Sequence, residues 1–249
     1  MIRLKTLEEI KRIKDSCTLL SELLRTLRPM VQEGITTKEI DLFVRGECKR
    51  LGATPAFLGY QGYPAAICTS VNDVVIHGIP NKRKLKKGDI VSLDCGVEFR
   101  GFYSDAAFTI PVGPIDPQAD QLLRVTRECL DLAIEKAVAG NRVHDISRAV
   151  YQHAKNHGYG VVREFCGHGV GFQPHEEPQV PNYVSRGPNP RLIPGMVLAI
   201  EPMINAGSDD VFVEEDNWTV RTADGSLSAH FEHTVAILED RTEVLTFWE

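Results

Sequence analysis

A ten-residue stretch occurs twice in this chain, and each copy ends in a carboxylate. Leu85-Lys86-Lys87-Gly88-Asp89-Ile90-Val91-Ser92-Leu93-Asp94 lines up with Leu192-Ile193-Pro194-Gly195-Met196-Val197-Leu198-Ala199-Ile200-Glu201. Leu85 meets Leu192, Gly88 meets Gly195 and Asp94 meets Glu201, all at an offset of 107. Upstream, an offset of 106 relates Gly34 to Gly140, Glu39 to Asp145, Ile40 to Ile146 and Gly52 to Gly158. A unit of helix followed by strands therefore recurs, with one small gap between its helical and strand parts. Chance likeness between two ordinary helix-loop-strand units is the competing explanation, and the constancy of the offset weighs against it. The expectation is a single domain over 1–249 made of two related lobes, about 1–115 and 116–249, around a charged centre.

Composition excludes several classes. A net charge of −6 gives no basic surface for a phosphate backbone, so nucleic acid is not an expected ligand. No apolar run approaches membrane-spanning length. The opening Met1-Ile2-Arg3-Leu4-Lys5-Thr6-Leu7-Glu8-Glu9 turns acidic too early for a secretory signal, which points to a cytoplasmic protein. Six cysteines are scattered without a C-x-x-C pair, so they read as reduced thiols rather than as a disulfide framework or a zinc ribbon.

Local signals define four helices. Thr6 with Glu9 makes a capping box ahead of Leu7, Ile10, Cys17, Leu20, Leu24 and Leu27, which recur at helical spacing until Pro29. Thr36 with Glu39 repeats the box, and the apolar face of Ile40, Phe43, Val44 and Leu51 stops at Gly52. Asp116 before Pro117 opens a third helix toward Gly140, and a fourth runs over about 143–157 and closes at Gly158. Strand-forming runs lie at 66–71, 90–95, 102–110, 196–200, 218–221 and 231–238. Helices and antiparallel strands gathered in each half, without strict alternation, imply an α+β fold.

The carboxylates supply the chemistry. A two-residue turn at Phe99 and Arg100 would pair 98 with 101 and, by extension, Asp94 with Asp105, on one face of a hairpin. Paired residues have Cβ atoms about 4.5 to 5.5 Å apart, and like charges so close repel. Apart from Arg100 at the turn, no lysine or arginine of matching parity lies on that face, so a divalent metal is the better partner. Glu201 closes the second copy, and Glu232 sits among apolar neighbours in Ser228-Ala229-His230-Phe231-Glu232-His233-Thr234, where a partly buried strand is expected. Four converging carboxylates carry more negative charge than one ion neutralises, whereas two divalent cations match them. His168, in Gly167-His168-Gly169-Val170-Gly171, is the natural fifth ligand, since its glycines allow close backbone approach. His144, His153 and His157 lie on a helix without a convergent carboxylate pattern and read as solvated. The pattern H-E-x-x-H is absent, because His175-Glu176-Glu177-Pro178 lacks the second histidine.

Gly59-Tyr60-Gln61-Gly62-Tyr63-Pro64, Asn72-Asp73-Val74-Val75-Ile76-His77-Gly78-Ile79-Pro80, Asp94, Asp105, the His168 and His175 motifs, Glu201-Pro202-Met203 and Glu232-His233-Thr234 together resemble type I methionine aminopeptidases. The likeness covers nearly the whole chain and keeps the motif order. It implies the pita-bread fold, two pseudo-symmetric α+β halves around a dinuclear metal centre. It leaves no room for the large insertion of the type II enzymes or for an N-terminal zinc-binding extension.

Carried over by motif, Asp94 would hold one ion, His168 and Glu201 the other, and Asp105 and Glu232 would bridge both. One imidazole among four carboxylates favours Mn, Fe(II) or Co over Zn alone. The resemblance gives His175 the tetrahedral oxyanion, His77 the scissile nitrogen or substrate positioning, and Glu201 a proton shuttle to the leaving amine. Tyr60, Tyr63, Cys68 and Trp218 match the family's methionine pocket, and Phe57 would narrow its entrance. Asn72, Val74 and Ser228 correspond to a site for one Na or K ion. Gln61, Pro174 and His230 depart from the residues common in relatives and bear on pocket shape and metal preference. The implied activity is removal of the initiator methionine from nascent polypeptide N-termini, best before a small second residue, by a monomer in transient contact with the ribosome. The competing readings are an X-Pro-type peptidase of the same fold and a non-catalytic peptide-binding relative.

Overall fold

The computed structural model describes residues 1–248. Its elements run α1 (Leu7–Leu27), α2 (Thr37–Leu51), β1 (Thr54–Pro55), β2 (Cys68–Val71), β3 (Val74–Ile76), β4 (Ile90–Phe99), β5 (Phe102–Pro111), α3 (Pro117–Lys136) and α4 (Val143–Asn156). There follow β6 (Gly160–Val161), β7 (Gly167–Gly169), β8 (Glu176–Val180), β9 (Val197–Ile200), β10 (Met203–Asn205), β11 (Val211–Val213), β12 (Val220–Thr222), β13 (Ser228–His230), β14 (His233–Ile237) and β15 (Thr242–Val244). Short 3-10 turns follow α1 and cover Tyr60–Gly62.

Both capping boxes form. The carboxylates of Glu9 and Glu39 accept from the Thr6 and Thr36 N–H groups at 2.8 Å, while the threonine hydroxyls accept from the glutamate N–H groups. At the start of α4, Asp145 accepts from the Arg142 N–H at 2.9 Å, so the residue aligned with Glu39 closes its helix in the same way. The second and fourth helices start 106 residues apart, and β4 and β9 start 107 apart. The aligned glycines share their backbone: φ is 91° and 96° at Gly34 and Gly140, 68° and 78° at Gly52 and Gly158, and 93° and 94° at Gly88 and Gly195.

Every strand pairing is antiparallel among the described residues. One sheet has the order β1-β4-β2 with β5 on the far flank of β4, and another has the order β15-β14-β9-β7-β8. Two smaller sheets, β13-β10-β6 and β11-β12-β3, complete the set. The buried face of α1, with Ile13, Cys17, Leu20, Leu24 and Leu27, lies over β4 and β5, and Ser16 Oγ donates to the Val97 carbonyl at 3.1 Å. In the other half, α3 and α4 pack together. Hydrogen bonds stitch the two halves directly: the Glu232 N–H donates to the Ala107 carbonyl at 2.8 Å, and the Thr234 hydroxyl donates to the Asp105 carbonyl at 2.7 Å. Among the described residues no helix is long and apolar enough to cross a membrane, and all six cysteines are free thiols.

The structure corrects two details of the sequence reading. The β4-β5 turn is centred on Arg100 and Gly101, with φ of 53° and 83°, because a tight hairpin turn of this type needs positive φ at both central residues and glycine supplies one of them. Phe99 therefore pairs with Phe102, Asp94 with Ala107 and Asp105 with Gly96. The two aspartates keep a common face as diagonal neighbours, not as a direct pair. The expected strand over 231–238 is interrupted: Phe231 and Glu232 lie between β13 and β14, where the chain passes from one sheet to another and their N–H groups bond to Pro202 and Ala107.

Leu24 is fully buried, so Leu24→Ala should cost about 2–5 kcal/mol through the cavity it leaves. Thr36→Ala should cost only about 1 kcal/mol through loss of the cap. Urea unfolding midpoints at unchanged m-value check both, and equal costs would contradict the packing of α1.

Candidate metal centre and its cavity

Each ligand candidate is delivered by a strand or its end. Asp94 and Asp105 project from β4 and β5, and Cys68 is the direct cross-strand partner of Asp94. From the other half, His168 on β7 pairs with Ala199 on β9, Glu201 follows the end of β9, and Glu232 precedes β14. The approach of β7 to its neighbours depends on bare backbone. A Cβ at Gly167 would lie 2.4 Å from the Ala199 carbonyl oxygen, and one at Gly169 would lie 2.4 Å from that of Glu177. Any side chain there would push His168 off its neighbours.

His168 Nδ1 lies 2.9 Å from the Gly169 carbonyl and donates to it. That bond fixes the tautomer and leaves Nε2 as the free donor atom, 3.3 Å from Glu201 Oε1 and 3.9 Å from Asp105 Oδ2. Asp105, His168 and Glu232 each offer a ligand atom within 4.8 Å of the others.

The cavity around these groups measures about 320 Å³. It brings together Asp94, Asp105, His168, Glu201 and Glu232 with His77, His175, Phe57, Tyr60, Tyr63, Cys68 and Trp218, which are all of the divalent-metal, catalytic and pocket candidates. No lysine or arginine is among its lining residues. Asp94 Oδ1, Asp105 Oδ1 and Glu232 Oε1 are buried without a hydrogen-bond partner. Orphaned carboxylate oxygens beside an imidazole nitrogen, with no cationic side chain, are a donor set that fits divalent ions.

Burial without a counter-charge pushes Asp94 up to about 7 and Glu201 up to about 8, and holds Asp105 and Glu232 well above the usual carboxylate range. The neighbouring carboxylates push Asp105 and Glu232 in the same direction. Burial lowers His168 to about 3 and His77 to about 4, so both imidazoles are neutral at physiological pH.

The histidines of the mouth are set by aromatic neighbours. His77 meets Phe165 and Trp218 edge-on, with ring centroids 5.7 and 6.0 Å away. His175 stacks on Tyr60 at 5.3 Å and lies 4.2 Å from the His168 ring. Tyr63 packs edge-on against Trp218 at 5.0 Å and donates its hydroxyl to the Gly78 carbonyl at 3.1 Å. Asn72, Val74 and Ser228 lie outside the cavity lining. The Asn72 side chain is engaged with Asp89 and Ile90, and the Asn72 backbone carbonyl accepts from the Ser228 N–H.

Several site residues escaped the sequence reading. Ile76, Glu164, Phe165 and Cys166 line the cavity, and the adjacency of the last three to the Gly167 motif was their signal. Buried His230, noted only as a departure, points Nε2 at Glu201 Oε2 from 3.5 Å. Lys5 left no local trace at all. Its buried ammonium donates to Glu176 Oε2 at 2.7 Å, while Glu176 Oε1 accepts from the N–H groups of Phe172 and Gln173, and this anchors the loop that carries His175. His153 is also not simply solvated, since its Nε2 lies 2.8 Å from Glu128 Oε2 of α3.

Fold and site define a metallopeptidase. The chain belongs to metallopeptidase family M24, whose description matches residues 11–239. A methionine aminopeptidase of Treponema pallidum is 51% identical over 247 residues, which is 99% of this chain and 96% of that protein. The crystal structure of a methionine aminopeptidase from Thermotoga maritima superposes with a TM-score of 0.95 at 45% identity, covering 99% of both chains. A prolidase from Pyrococcus furiosus is more distant, with a TM-score of 0.80 and 26% identity over 99% of this chain and 66% of that one. The fold is the α+β pita-bread fold of these structures.

The raised carboxylates make metal-free stability depend on pH with a defined sign. They hold protons in the folded state that the unfolded chain has already released, so stability falls as pH rises toward 7 to 8. The depressed histidines act oppositely, and their contribution is complete above their ordinary value of 6.5. Chelator-treated protein should therefore melt at a lower temperature at pH 8 than at pH 6.5, and a saturating divalent ion should remove that slope. A melting temperature that climbs across this window without metal would contradict the uncompensated cluster.

Proposed function

We propose that this chain removes the N-terminal methionine from polypeptides, using two divalent ions held by Asp94, Asp105, His168, Glu201 and Glu232. The observation that carries the reading is the joining of this ligand set to an apolar slot in one cavity. Family membership and the names of the closely similar relatives support it.

When bound, such ions supply positive charge that polarises a peptide carbonyl and makes water nucleophilic near neutral pH. The roles of the chain's own groups follow from where they sit. Tyr63, Cys68 and Trp218, with Phe57 and Tyr60 around them, form a soft, polarisable wall suited to a thioether side chain. His77, neutral and wedged between Phe165 and Trp218, offers a ring N–H to the substrate backbone beside the scissile bond. His175, at the mouth, donates to the oxygen that gains charge as the carbonyl is attacked. Glu201 takes the proton released by the attacking water and passes it on to the leaving amine. Asp94 would hold one ion and His168 with Glu201 the other, while Asp105 and Glu232 would serve both. Manganese, iron(II), cobalt and zinc all suit this mixed set. A sodium or potassium ion at Asn72, Val74 and Ser228 is part of the same reading.

The wider setting is also proposed. The chain acts as a single catalytic domain with pseudo-repeats over about 1–115 and 116–249, Glu249 lying outside the described residues; the matched glycines of the two halves support this. We take it to work as a monomer in the cytoplasm on nascent chains, touching the ribosome in passing.

Metal-loaded protein should cleave Met-Ala-Ser and leave X-Pro peptides intact, and the reverse preference would assign it to the prolidase-like branch. Binding of Met-peptides without cleavage would make it a non-catalytic relative. Asp105→Ala should abolish turnover and lower the bound metal. His77→Ala should lower kcat/KM by about 10²- to 10⁴-fold at unchanged metal content.

A further inference from the structure

Glu128, His153 and His157 form a second group of metal-type donors, on helices that do not line the cavity. None of the cavity-lining residues comes from α3 or α4, so this group is separate from the catalytic centre. We propose that it is a second metal site, taking a borderline divalent ion such as Zn(II), Ni(II) or Cu(II) and clamping α4 to α3.

The geometry begins with helical spacing. His153 and His157 are four residues apart, at the end and C-cap of α4, so their rings lie one above the other on one face, with centroids 4.6 Å apart. Glu128, on the facing helix α3, meets them from the side, with Oε2 2.8 Å from His153 Nε2. Each of the three offers a ligand atom within 4.8 Å of the other two. In a tetrahedral site with bonds near 2.0–2.1 Å, neighbouring donors lie about 3.3 Å apart, so small side-chain movements suffice.

The surroundings prepare these atoms. His157 Nδ1 donates to the His153 backbone carbonyl at 2.9 Å, which leaves Nε2 as the lone-pair nitrogen. This is the kind of outer bond that fixes the tautomer of a ligating histidine. The Arg124 guanidinium donates to Glu128 Oε1 at 2.9 Å and leaves Oε2 aimed at His153. Arg124 also places a positive charge nearby, which weakens the site without blocking it. Two imidazoles and one carboxylate suit borderline ions, with a fourth position open to water, and His153 frees Nε2 for the ion by carrying its ring hydrogen on Nδ1.

The test compares wild-type protein with His157→Ala, and separately with Glu128→Gln, after chelation. Each is dialysed against Zn(II) and the bound metal counted by mass spectrometry. The wild type should hold one zinc per chain more than either variant, while turnover of Met-Ala-Ser under the catalytic metal stays the same in all three. At about a hundredfold the dissociation constant, zinc should raise the melting temperature of the wild type by about 5 °C more than that of the variants. Arg124→Ala should tighten zinc binding. NMR supplies a readout independent of stoichiometry: Ni(II) should broaden the His153 and His157 ring signals at one equivalent beyond the catalytic sites. Equal zinc content and equal thermal shifts in wild type and variants, or unperturbed ring signals, would overturn the proposal.

Discussion

The buried carboxylates at the junction of the two halves are the constraint on which the rest of this structure depends. Asp94, Asp105, Glu201 and Glu232 converge where no lysine or arginine reaches, and three of their oxygens have no partner within the protein. Such an arrangement opposes folding unless something positive compensates it. The protein tolerates this because the surrounding framework is rigid and well packed: α1 covers the β4-β5 hairpin, and buried apolar residues fill the space behind both large sheets. The cost is confined to this cavity, where the carboxylates stand already assembled.

The internal repeat explains how a chain builds such a centre economically. Each half places one carboxylate on or just past a strand, Asp94 within β4 and Glu201 after β9, and another on or just before the strand returning beside it, Asp105 in β5 and Glu232 ahead of β14. Bringing these pairs together places four carboxylates in one cavity. The departures from symmetry are where function enters. His168 comes from a strand whose flanking glycines let it lie against β9, and the apolar wall of Tyr63, Cys68 and Trp218 is gathered around the first half's side of the cavity.

Much of this was legible in the sequence, for reasons that can be named. The helices announce themselves through capping boxes and apolar periodicity, which are local signals, and the observed spans follow them closely. The five ligand candidates sit in motifs whose residue types are uncommon in ordinary strands. The hairpin register was missed by one step because parity alone does not locate a turn, whereas the positive φ demanded at Arg100 and Gly101 does. The switch between sheets at Glu232 depends on bonds to Ala107 and Pro202, far away in the chain. Lys5 and Glu128 were illegible for the same reason: their partners, Glu176 and His153, lie on other elements, and no short window contains both.

The bonds that join Asp105 to Thr234 and Ala107 to Glu232 span 129 and 125 residues of chain. During synthesis the first half can wrap α1 around its hairpin well before those partners exist, but it then displays only half of the acidic cluster. The proposed ligand set is thereby complete only once the distal strands have docked. An ion that could bind the nascent fragment would have to settle for two aspartates, too few to outcompete water. A complete donor set in this cavity thus requires the native topology of both ends of the chain.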